Sequence, residues 1–157
     1  KTLKNLKFLE FPKLGFYELN KILKKINQLG GGILLIDYGY LNPKNKSTIQ
    51  SVLKHKKNNL FDNLGKADIT HLVNFSLLRE YFTKNNLEVK KIVSQKFFLE
   101  KMGINERANI ISRKMSLMEK SKLYLRIKRL LDVNLMGNLF KVIFAYKFKK
   151  DNFLGFE

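Results

Sequence analysis

The sequence predicts an α/β fold, and three observations carry that prediction. An unbroken apolar run at 33–36 directly follows a glycine cluster at 30–32. Such a run indicates a strand covered on both faces, as in the parallel sheet of an α/β protein. Helical and strand-like patterns then mix along the whole chain, which favours helices layered on a sheet. At 157 residues, the chain is long enough to bury a core of its own.

The first elements are a short strand, a helix and the buried strand. Residues 6–11 are rich in apolar side chains and predict an edge strand that Pro12 stops. Apolar positions recur at helical spacing over 14–29, which predicts a helix with its lysines in water. The glycine cluster ends this helix, because glycine accepts the left-handed geometry that helix ends often need. The predicted strand at 33–38 follows after a very short connection.

The middle of the chain alternates loops and helices in this interpretation. Residues 42–46 form a polar loop, after which Ser47 or Thr48 is predicted to cap a short helix reaching about residue 57. A second loop follows at 58–66. The sequence therefore predicts one short helix between two loops.

The carboxyl-terminal part is predicted to be mainly helical between two strands. Residues 68–70 enter a helix whose apolar face includes Phe75, and residues 87–93 alternate as a strand with one wet face. Residues 95–132 are helical by their apolar spacing. Residues 139–148 alternate cleanly as a final strand. No repeat or linker divides the chain.

The charge of the chain is strongly positive, at +18, from 31 Lys and Arg against 13 Asp and Glu. Such an excess usually indicates a nucleic-acid or anionic-membrane partner. Only five of the basic residues are Arg, and the lysines are spread over every predicted element. Since base and bidentate phosphate contacts favour Arg, a generic solvated basic surface is the favoured interpretation, with nucleic-acid binding as an alternative.

Several functional classes lack their signatures in this sequence. No apolar run approaches the roughly 18 residues of a membrane span. The absence of cysteine excludes disulfides, thiolate metal sites and cysteine nucleophiles. His55 and His71 stand sixteen positions apart, which is no ordinary zinc spacing, so no metal is expected. Neither a dinucleotide fingerprint nor a Walker-type loop is present.

Polar residues at the ends of predicted elements are the candidates for a site. Asp37 is the first of them, with Tyr38 and Gly39, because α/β enzymes place ligand contacts beyond the carboxyl ends of strands. The remaining candidates are His55, Asp68, Thr70, His71, Asn74 and Gln95. Taken singly, each of these is better explained by a structural role, such as helix capping for Asp68 and Thr70 or a solvated helix position for His55.

Eight short segments match one known family in its own order. They are 31–40, 47–52 with His55, 65–70, 73–75, Gln95 with 98–99, 103–104 with Arg107, 136–142 and 154–156. Together they resemble the carboxyl-terminal half of the MidA family of S-adenosylmethionine-dependent methyltransferases, which includes a mitochondrial complex I assembly factor. The segments cover almost the whole chain.

The resemblance implies part of a class I, Rossmann-like methyltransferase sheet. In that sheet, residues 33–37 would be the fifth strand, and 88–93 and 139–148 the antiparallel strands that complete it. Residues 95–132 would be a helical insertion before the last strand. The amino-terminal half of the domain, which binds most of the cofactor, would be absent from residues 1–157.

The resemblance also implies a function, namely arginine N-methylation of a respiratory complex I subunit during assembly. The cofactor would be S-adenosylmethionine, and the chain alone would be inactive. Its location would be the bacterial cytoplasm or, in a eukaryote, the mitochondrial matrix. Asp37 is the best catalytic candidate, because a carboxylate can hold a guanidinium. The implied pocket residues are Asp37, Tyr38, Gly39, His55, Asp68, Thr70, Phe75 and Gln95.

The chain departs from the family at one motif. The family usually reads Asp-Leu-Thr-Ala-His-Val-Asp-Phe where residues 68–75 read Asp-Ile-Thr-His-Leu-Val-Asn-Phe. One position on a helix is a rotation of about 100°, so His71 is not expected to inherit the role of the family's histidine. Asn74 replaces the second aspartate.

Two other functions are carried as alternatives. A non-catalytic complex I assembly or scaffold module would use the insertion at 95–132 to grip a partner, and would expose Phe97, Met115 and Met118. A basic nucleic-acid-binding or RNA methyltransferase domain would instead gather lysines around 54–57 and 147–150, with salt-dependent affinity for RNA.

Overall fold

The computed structural model describes residues 8–42, 44–148 and 153–157. Its helices are α1 (Lys13–Leu29), α2 (Phe75–Lys84), α3 (Gln95–Lys101), α4 (Ile104–Ser112), α5 (Leu117–Leu131) and α6 (Met136–Leu139). Its strands are β1 (Gly31–Tyr40), β2 (Gln50–Leu53), β3 (Lys56–Asn58), β4 (Asp68–Thr70), β5 (Val73–Asn74), β6 (Glu88–Val89), β7 (Val93–Ser94) and β8 (Phe140–Lys147). Within these ranges, no helix has the length and apolar character to cross a membrane.

The main sheet is built on the long pair β1 and β8. These strands run antiparallel in register from Gly31 opposite Lys147 to Tyr38 opposite Phe140. On the other edge of β1, its last two residues, Gly39 and Tyr40, pair in parallel with β5. Strands β6 and β7 pair antiparallel with β8. The antiparallel β8 beside β1 is the arrangement that the resemblance implies, and among the described residues the parallel pairing of β1 is limited to Gly39 and Tyr40.

A second, three-stranded sheet occupies the region where a helix was predicted. Residues 47–57 form β2, a tight turn and the start of β3 instead of a helix, so the predicted helix is wrong. Lys54 and His55 make the turn with positive φ angles of 48° and 63°. Residues 68–70 form β4, which pairs with β2. This pairing across about twenty residues overrides the local capping signal of Ser47 and Thr48.

Helix α2 begins later than predicted, at Phe75, because its cap is Asn74. The Asn74 side chain accepts a hydrogen bond from the Leu77 backbone N–H at 3.1 Å. Asp68 and Thr70 therefore lie in a strand and do not cap this helix. The predicted helical character of 95–132 is confirmed as α3, α4 and α5. The strand predicted at 6–11 lies partly outside the described residues, and 8–11 is neither helix nor strand.

The core lies between one face of the main sheet and helices α1 and α2. Leu23, Phe75, Phe82 and Ile143 are fully buried there, joined by Ala145. Removing apolar surface of this kind from water stabilises a fold by about 25 cal/mol per Å². A smaller cluster of Val93, Phe98 and Val142 packs on the opposite face of β8, with Leu99 and Phe156 against it.

Strand β1 is covered on one face among the described residues. Ile33 and Leu35 pack against the core, because alternate side chains of a strand point to opposite faces. Leu34 and Ile36 remain 45% and 44% exposed. The prediction that this strand is buried on both faces is therefore wrong for the part of the chain that the structure describes. Helices α1 and α2 cover only the first face.

Candidate functional site

A cavity of about 630 Å³ lies beside the carboxyl-terminal part of β1. Its walls come from Tyr38 on β1, the loop at 44–48, and strands β2 and β4 of the small sheet. Val52, Leu72 and Leu139 supply apolar surface. The small sheet that the sequence did not predict therefore builds much of this site.

Three of the predicted site residues meet in this cavity. Tyr38, Asp68 and Thr70 line it together, although thirty residues separate the first from the second. Asp68 and Thr70 are brought there by the pairing of β4 with β2. The Thr70 hydroxyl accepts a hydrogen bond from the Gln50 side-chain amide at 3.1 Å. The cavity thus combines a phenol, a carboxylate and a hydroxyl with two lysines of the loop at 44–48, so it can hold a cationic group that has acidic groups beside it.

Asp37 and Gly39, the neighbours of Tyr38, do not line this cavity. Asp37 is exposed within β1, opposite Lys141, and its carboxylate accepts a hydrogen bond from the Tyr38 backbone N–H at 2.7 Å. Gly39 lies against the core: a Cβ there would come within 2.7 Å of the Phe75 ring. Glycine at this position therefore permits a close approach of β1 to the start of α2.

The three other predicted pocket residues also lie away from the cavity. His55 is exposed at the tip of the β2–β3 hairpin, and Phe75 is fully buried in the core. Gln95 is buried, and its side-chain amide donates a hydrogen bond to the Leu130 carbonyl at 3.0 Å. That bond ties α3 to α5. For Phe75 and Gln95 the geometry favours packing and a structural hydrogen bond.

Sequence reasoning missed Glu10, which holds one wall of the cavity in place. The Glu10 carboxylate accepts hydrogen bonds from the Thr48 backbone N–H at 2.7 Å, the Thr48 hydroxyl at 2.5 Å and the Ser47 hydroxyl at 3.0 Å. The Thr48 hydroxyl accepts in turn from the Leu72 backbone N–H at 3.0 Å. Glu10 and Thr48 therefore link three segments of the chain, around residues 10, 47–48 and 72, in one hydrogen-bond network. No local pattern around Glu10 indicates contacts across 38 positions.

Electrostatics around Glu10 follow from these bonds. Burial alone raises the pKa of Glu10, but the hydrogen bonds from Thr48 and Ser47, helped by nearby His71, outweigh it and hold the pKa below its usual value. Burial raises the pKa of the Tyr40 phenol, and the negative charge of Glu10 adds to the rise, while a hydrogen bond with Asn74 opposes it. Glu10 is therefore an ionised anchor, and Tyr40 a neutral phenol, at neutral pH.

His71 and Lys141 do not line the larger cavity. His71 lines a smaller cavity of about 160 Å³ with Glu10 and Asn74, and does not line the larger one. Burial lowers the pKa of Lys141, whose ammonium group donates to the Asn138 carbonyl. Among the described residues, no cluster of three or more His, Asp or Glu side chains could hold a metal ion.

A protein-family model matches residues 7–93, which is more than half of the chain. Its description reads "Putative S-adenosyl-L-methionine-dependent methyltransferase". The chain belongs to this methyltransferase family. The family resemblance deduced from the sequence is thereby confirmed, and the family's cofactor is S-adenosylmethionine. The match includes Tyr38, Asp68 and Thr70 of the cavity, as well as the anchor Glu10.

Curated methyltransferases are similar to this chain over somewhat more than half of its length. The mitochondrial protein arginine methyltransferase NDUFAF7 homologue of Caenorhabditis elegans is 32% identical over 89 residues, which are 57% of this chain and 21% of the relative. The mitochondrial protein arginine methyltransferase NDUFAF7 of Xenopus tropicalis is 31% identical over 98 residues, 62% of this chain and 22% of the relative. The matched part therefore spans about a fifth of each curated relative.

Two solved structures from Burkholderia thailandensis share the fold of this methyltransferase chain. An uncharacterised protein superposes with a TM-score of 0.73 at 24% identity, over 86% of this chain and 38% of that protein. A second, bound to S-adenosyl-homocysteine, gives a TM-score of 0.68 at 24% identity, over 80% and 34%. The likeness extends beyond the family match into the region after residue 93, and it confirms the Rossmann-like fold class.

Proposed function

We propose that this chain supplies the acceptor side of an S-adenosylmethionine-dependent protein arginine methyltransferase. The observation that carries the proposal is the cavity beside the end of β1, where Tyr38, Asp68 and Thr70 meet. The cofactor's amino acid and ribose would be held mainly by protein outside residues 1–157. The names of the curated relatives, which are protein arginine methyltransferases, support arginine as the acceptor.

The polar groups that line the cavity suit the methyl-accepting arginine side chain better than they suit the whole cofactor. A carboxylate beside hydroxyl groups matches a guanidinium, which offers five N–H donors. Bound S-adenosylmethionine supplies an electrophilic methyl group on its sulfonium sulfur. Asp68 would hold the guanidinium by charge-assisted hydrogen bonds, and Tyr38 and Thr70 would fix its direction. Such alignment of the nucleophilic nitrogen is the main requirement of the transfer.

The loop at the cavity wall suggests what surrounds the target arginine. Lys44 and Lys46 line the same cavity, and their positive charges would repel an isolated cationic group. They would favour acidic residues next to the arginine in the substrate protein. A subunit of respiratory complex I is the proposed substrate, and the mitochondrial names of the relatives favour the matrix as its location in a eukaryote.

The test is a chimera that joins this chain to the cofactor-binding part of the Burkholderia thailandensis protein that binds S-adenosyl-homocysteine. Methylation of an arginine peptide with acidic flanks is measured together with affinity for S-adenosyl-homocysteine. We expect Asp68→Asn to lower kcat/KM by about 10- to 100-fold, because one charge-assisted contact is lost, while the cofactor affinity stays unchanged.

The matched control is Asp62→Asn, which removes an exposed carboxylate outside the cavity. It should leave both quantities unchanged. Unaltered kinetics in Asp68→Asn would rule out the assigned role of that carboxylate. We expect residues 1–157 alone to bind S-adenosyl-homocysteine weakly and to turn nothing over. Robust methylation by this chain alone would refute the proposal that protein outside residues 1–157 is needed to bind the cofactor.

A second candidate function, a partner-binding assembly module, has one observation in its favour. Within the helical insertion, Phe97 is 37% and Met118 68% exposed, while Met115 is half-buried. An interface in the insertion is compatible with methyltransfer at the cavity.

The nucleic-acid alternative has only partial support. Exposed lysines gather at the β2–β3 hairpin, at 54, 56 and 57, whereas 149 and 150 lie outside the described residues. Salt-dependent RNA affinity that is lost on neutralising the hairpin lysines would favour it over the other two functions.

A further inference from the structure

Helix α5 packs on the domain through one face and presents the opposite face to solvent. Leu123, Ile127 and Leu130 are half-buried on the inner side, and no residue of the helix is fully buried. A capping box joins Ser116 and Glu119 at its amino end. The helix is therefore well defined by its own sequence and does not depend on deep burial for its position.

The outward face of α5 carries a line of exposed apolar side chains. Leu117 is 86%, Met118 68% and Leu125 65% exposed. At about 100° per residue, these three lie within one third of the helix circumference, opposite the inner side. Exposed apolar side chains that gather on one side of an element mark interaction sites more often than single ones do. The outer face is defined here as Leu117, Met118, Lys122, Leu125, Arg126, Lys128 and Arg129.

Basic side chains lie beside this apolar line, mostly along one side of it, on the same half of the helix. Lys122, Arg126, Lys128 and Arg129 are all exposed there. The only glutamate of this helix, Glu119, lies at the edge of the face and is bonded to Ser116. Four of the five arginines of the chain fall between residues 107 and 129, whereas the lysines are spread throughout. Arg and Met are enriched in protein interfaces, and Lys is depleted.

We propose that the outer face of α5 binds an acidic amphipathic helix of another protein. Leucine-like side chains of that helix would cover Leu117, Met118 and Leu125, and its glutamates or aspartates would pair with the flanking Arg and Lys side chains. This helix-on-helix mode takes its affinity from the apolar anchors and its selectivity from charge. The inference deepens the second candidate function, partner binding through residues 95–132, and does not depend on the proposed methyl transfer.

The geometry favours a protein helix over the two other anionic partners. A helix that lies in a membrane surface has its basic and apolar residues on opposite faces, whereas here they share one face. Single-stranded nucleic acid is bound by stacking of successive bases on several aromatic side chains, whereas α5 has one aromatic side chain, Tyr124, at the margin of the outer face. An acidic helix satisfies both the apolar line and the charge around it.

The test titrates a fluorescein-labelled amphipathic peptide, with leucines at helical spacing and glutamates beside them, against the 157-residue chain. Binding is followed by fluorescence anisotropy at physiological salt. We expect Met118→Ser/Leu125→Ser and Arg126→Glu/Arg129→Glu each to weaken binding by about tenfold or more. A second peptide of the same composition with scattered leucines should bind at least about tenfold more weakly.

The matched controls are Leu14→Ser/Leu29→Ser and Lys24→Glu/Lys25→Glu on α1, where these side chains are also exposed. They should bind the peptide as the unaltered chain does, and circular dichroism confirms that every variant is folded. The proposal is overturned by equal binding of the two peptides, or by α5 variants that behave like the controls. Tighter binding to phosphatidylserine vesicles or to poly-uridine RNA overturns it too, as does loss of peptide binding in the methyltransferase chimera.

Discussion

At the scale of single residues, Glu10 shows how one side chain can hold a site wall without touching the cavity. It contributes no surface to the larger cavity, yet its carboxylate accepts three hydrogen bonds from Ser47 and Thr48. Those two residues line the cavity. The position of the basic loop at 44–48 therefore depends on an ionised group some 38 positions away.

We predict that Glu10→Gln lowers the free energy of unfolding by about 1–2 kcal/mol at pH 7, because hydrogen bonds to a charged acceptor weaken. Since the folded-state pKa of Glu10 lies below its ordinary value of 4.5, this stabilisation is present above pH 4.5. It is lost as the pH falls through the folded-state pKa. Urea titrations of both chains from pH 7 downwards measure the difference.

The control for Glu10 is Glu18→Gln on α1, which removes only an exposed ion pair with Lys21. Such pairs contribute little, so this variant should unfold like the unaltered chain. A difference between Glu10→Gln and the unaltered chain that is the same at every pH would contradict the assigned role of the charge.

A second prediction concerns the close approach at Gly39. In Gly39→Ala the new methyl group would meet the Phe75 ring at 2.7 Å and the Val73 carbonyl, so we expect a loss of about 1–3 kcal/mol in unfolding free energy. Gly15→Ala is the matched control, because its Cβ finds only an ordinary contact of 3.6 Å with Pro12 and gains helix propensity. Thermal melts compare the two, and equal melting temperatures would disprove the packing argument.

At the scale of elements, the sequence correctly predicts those helices whose apolar spacing lies within one continuous segment. The periodic apolar positions of α1 and the helices between 95 and 132 depend on spacing within one segment, and both were predicted. The helix predicted at 47–57 failed, because β2 is stabilised by pairing with β4, from Gln50 opposite Thr70 to Val52 opposite Asp68. Contacts so far apart in sequence leave no periodic trace in either strand.

Separation along the sequence also explains which residues of the candidate site could be predicted. Tyr38, Asp68 and Thr70 were chosen as polar residues at element ends, and they meet in the cavity. The sequence does not indicate Glu10, since its partners are distant along the chain. It favours Asp37 over Tyr38, but alternation along β1 turns the two side chains to opposite faces.

Helix α5 provides a prediction at this scale. Ser116→Ala removes the hydroxyl that accepts from the Glu119 backbone N–H, and we expect a loss of about 1 kcal/mol in unfolding free energy. Ser121→Ala, on the exposed side of the same helix, should be neutral or slightly stabilising, because alanine has the higher helix propensity. Urea denaturation measures both, and an equal response would show that the capping box is not formed in solution.

At the scale of the whole molecule, strand β1 of the main sheet is covered on one face only in the part that the structure describes, whereas β8 is covered on both. One face of β1 and β8 rests on α1 and α2, while Leu34 and Ile36 on the other face are exposed. The four apolar residues at 33–36 correctly predict strand β1. Such a run does not indicate whether other elements of the same chain cover both faces of the strand. The fold class nevertheless follows from the sheet topology and the solved structures that share it.

This one-sided cover predicts a contrast between two isoleucines. Ile36→Ser should change the unfolding free energy of the chain by less than about 1 kcal/mol, since the side chain already meets solvent. Ile143→Ala should cost about 2–5 kcal/mol, because that side chain is fully buried. Equal losses in urea titrations would mean that Ile36 is buried in solution.

The edge of β1 has a practical consequence for handling the protein. Among the described residues, β1 pairs along that edge only through Gly39 and Tyr40. Since β8 takes the main-chain groups of every second residue of 31–38, the amides and carbonyls of the residues between them face outwards. Such a row is a template onto which another extended segment can add. Concentrated solutions should therefore form oligomers through this edge, and light scattering would register them before any loss of secondary structure.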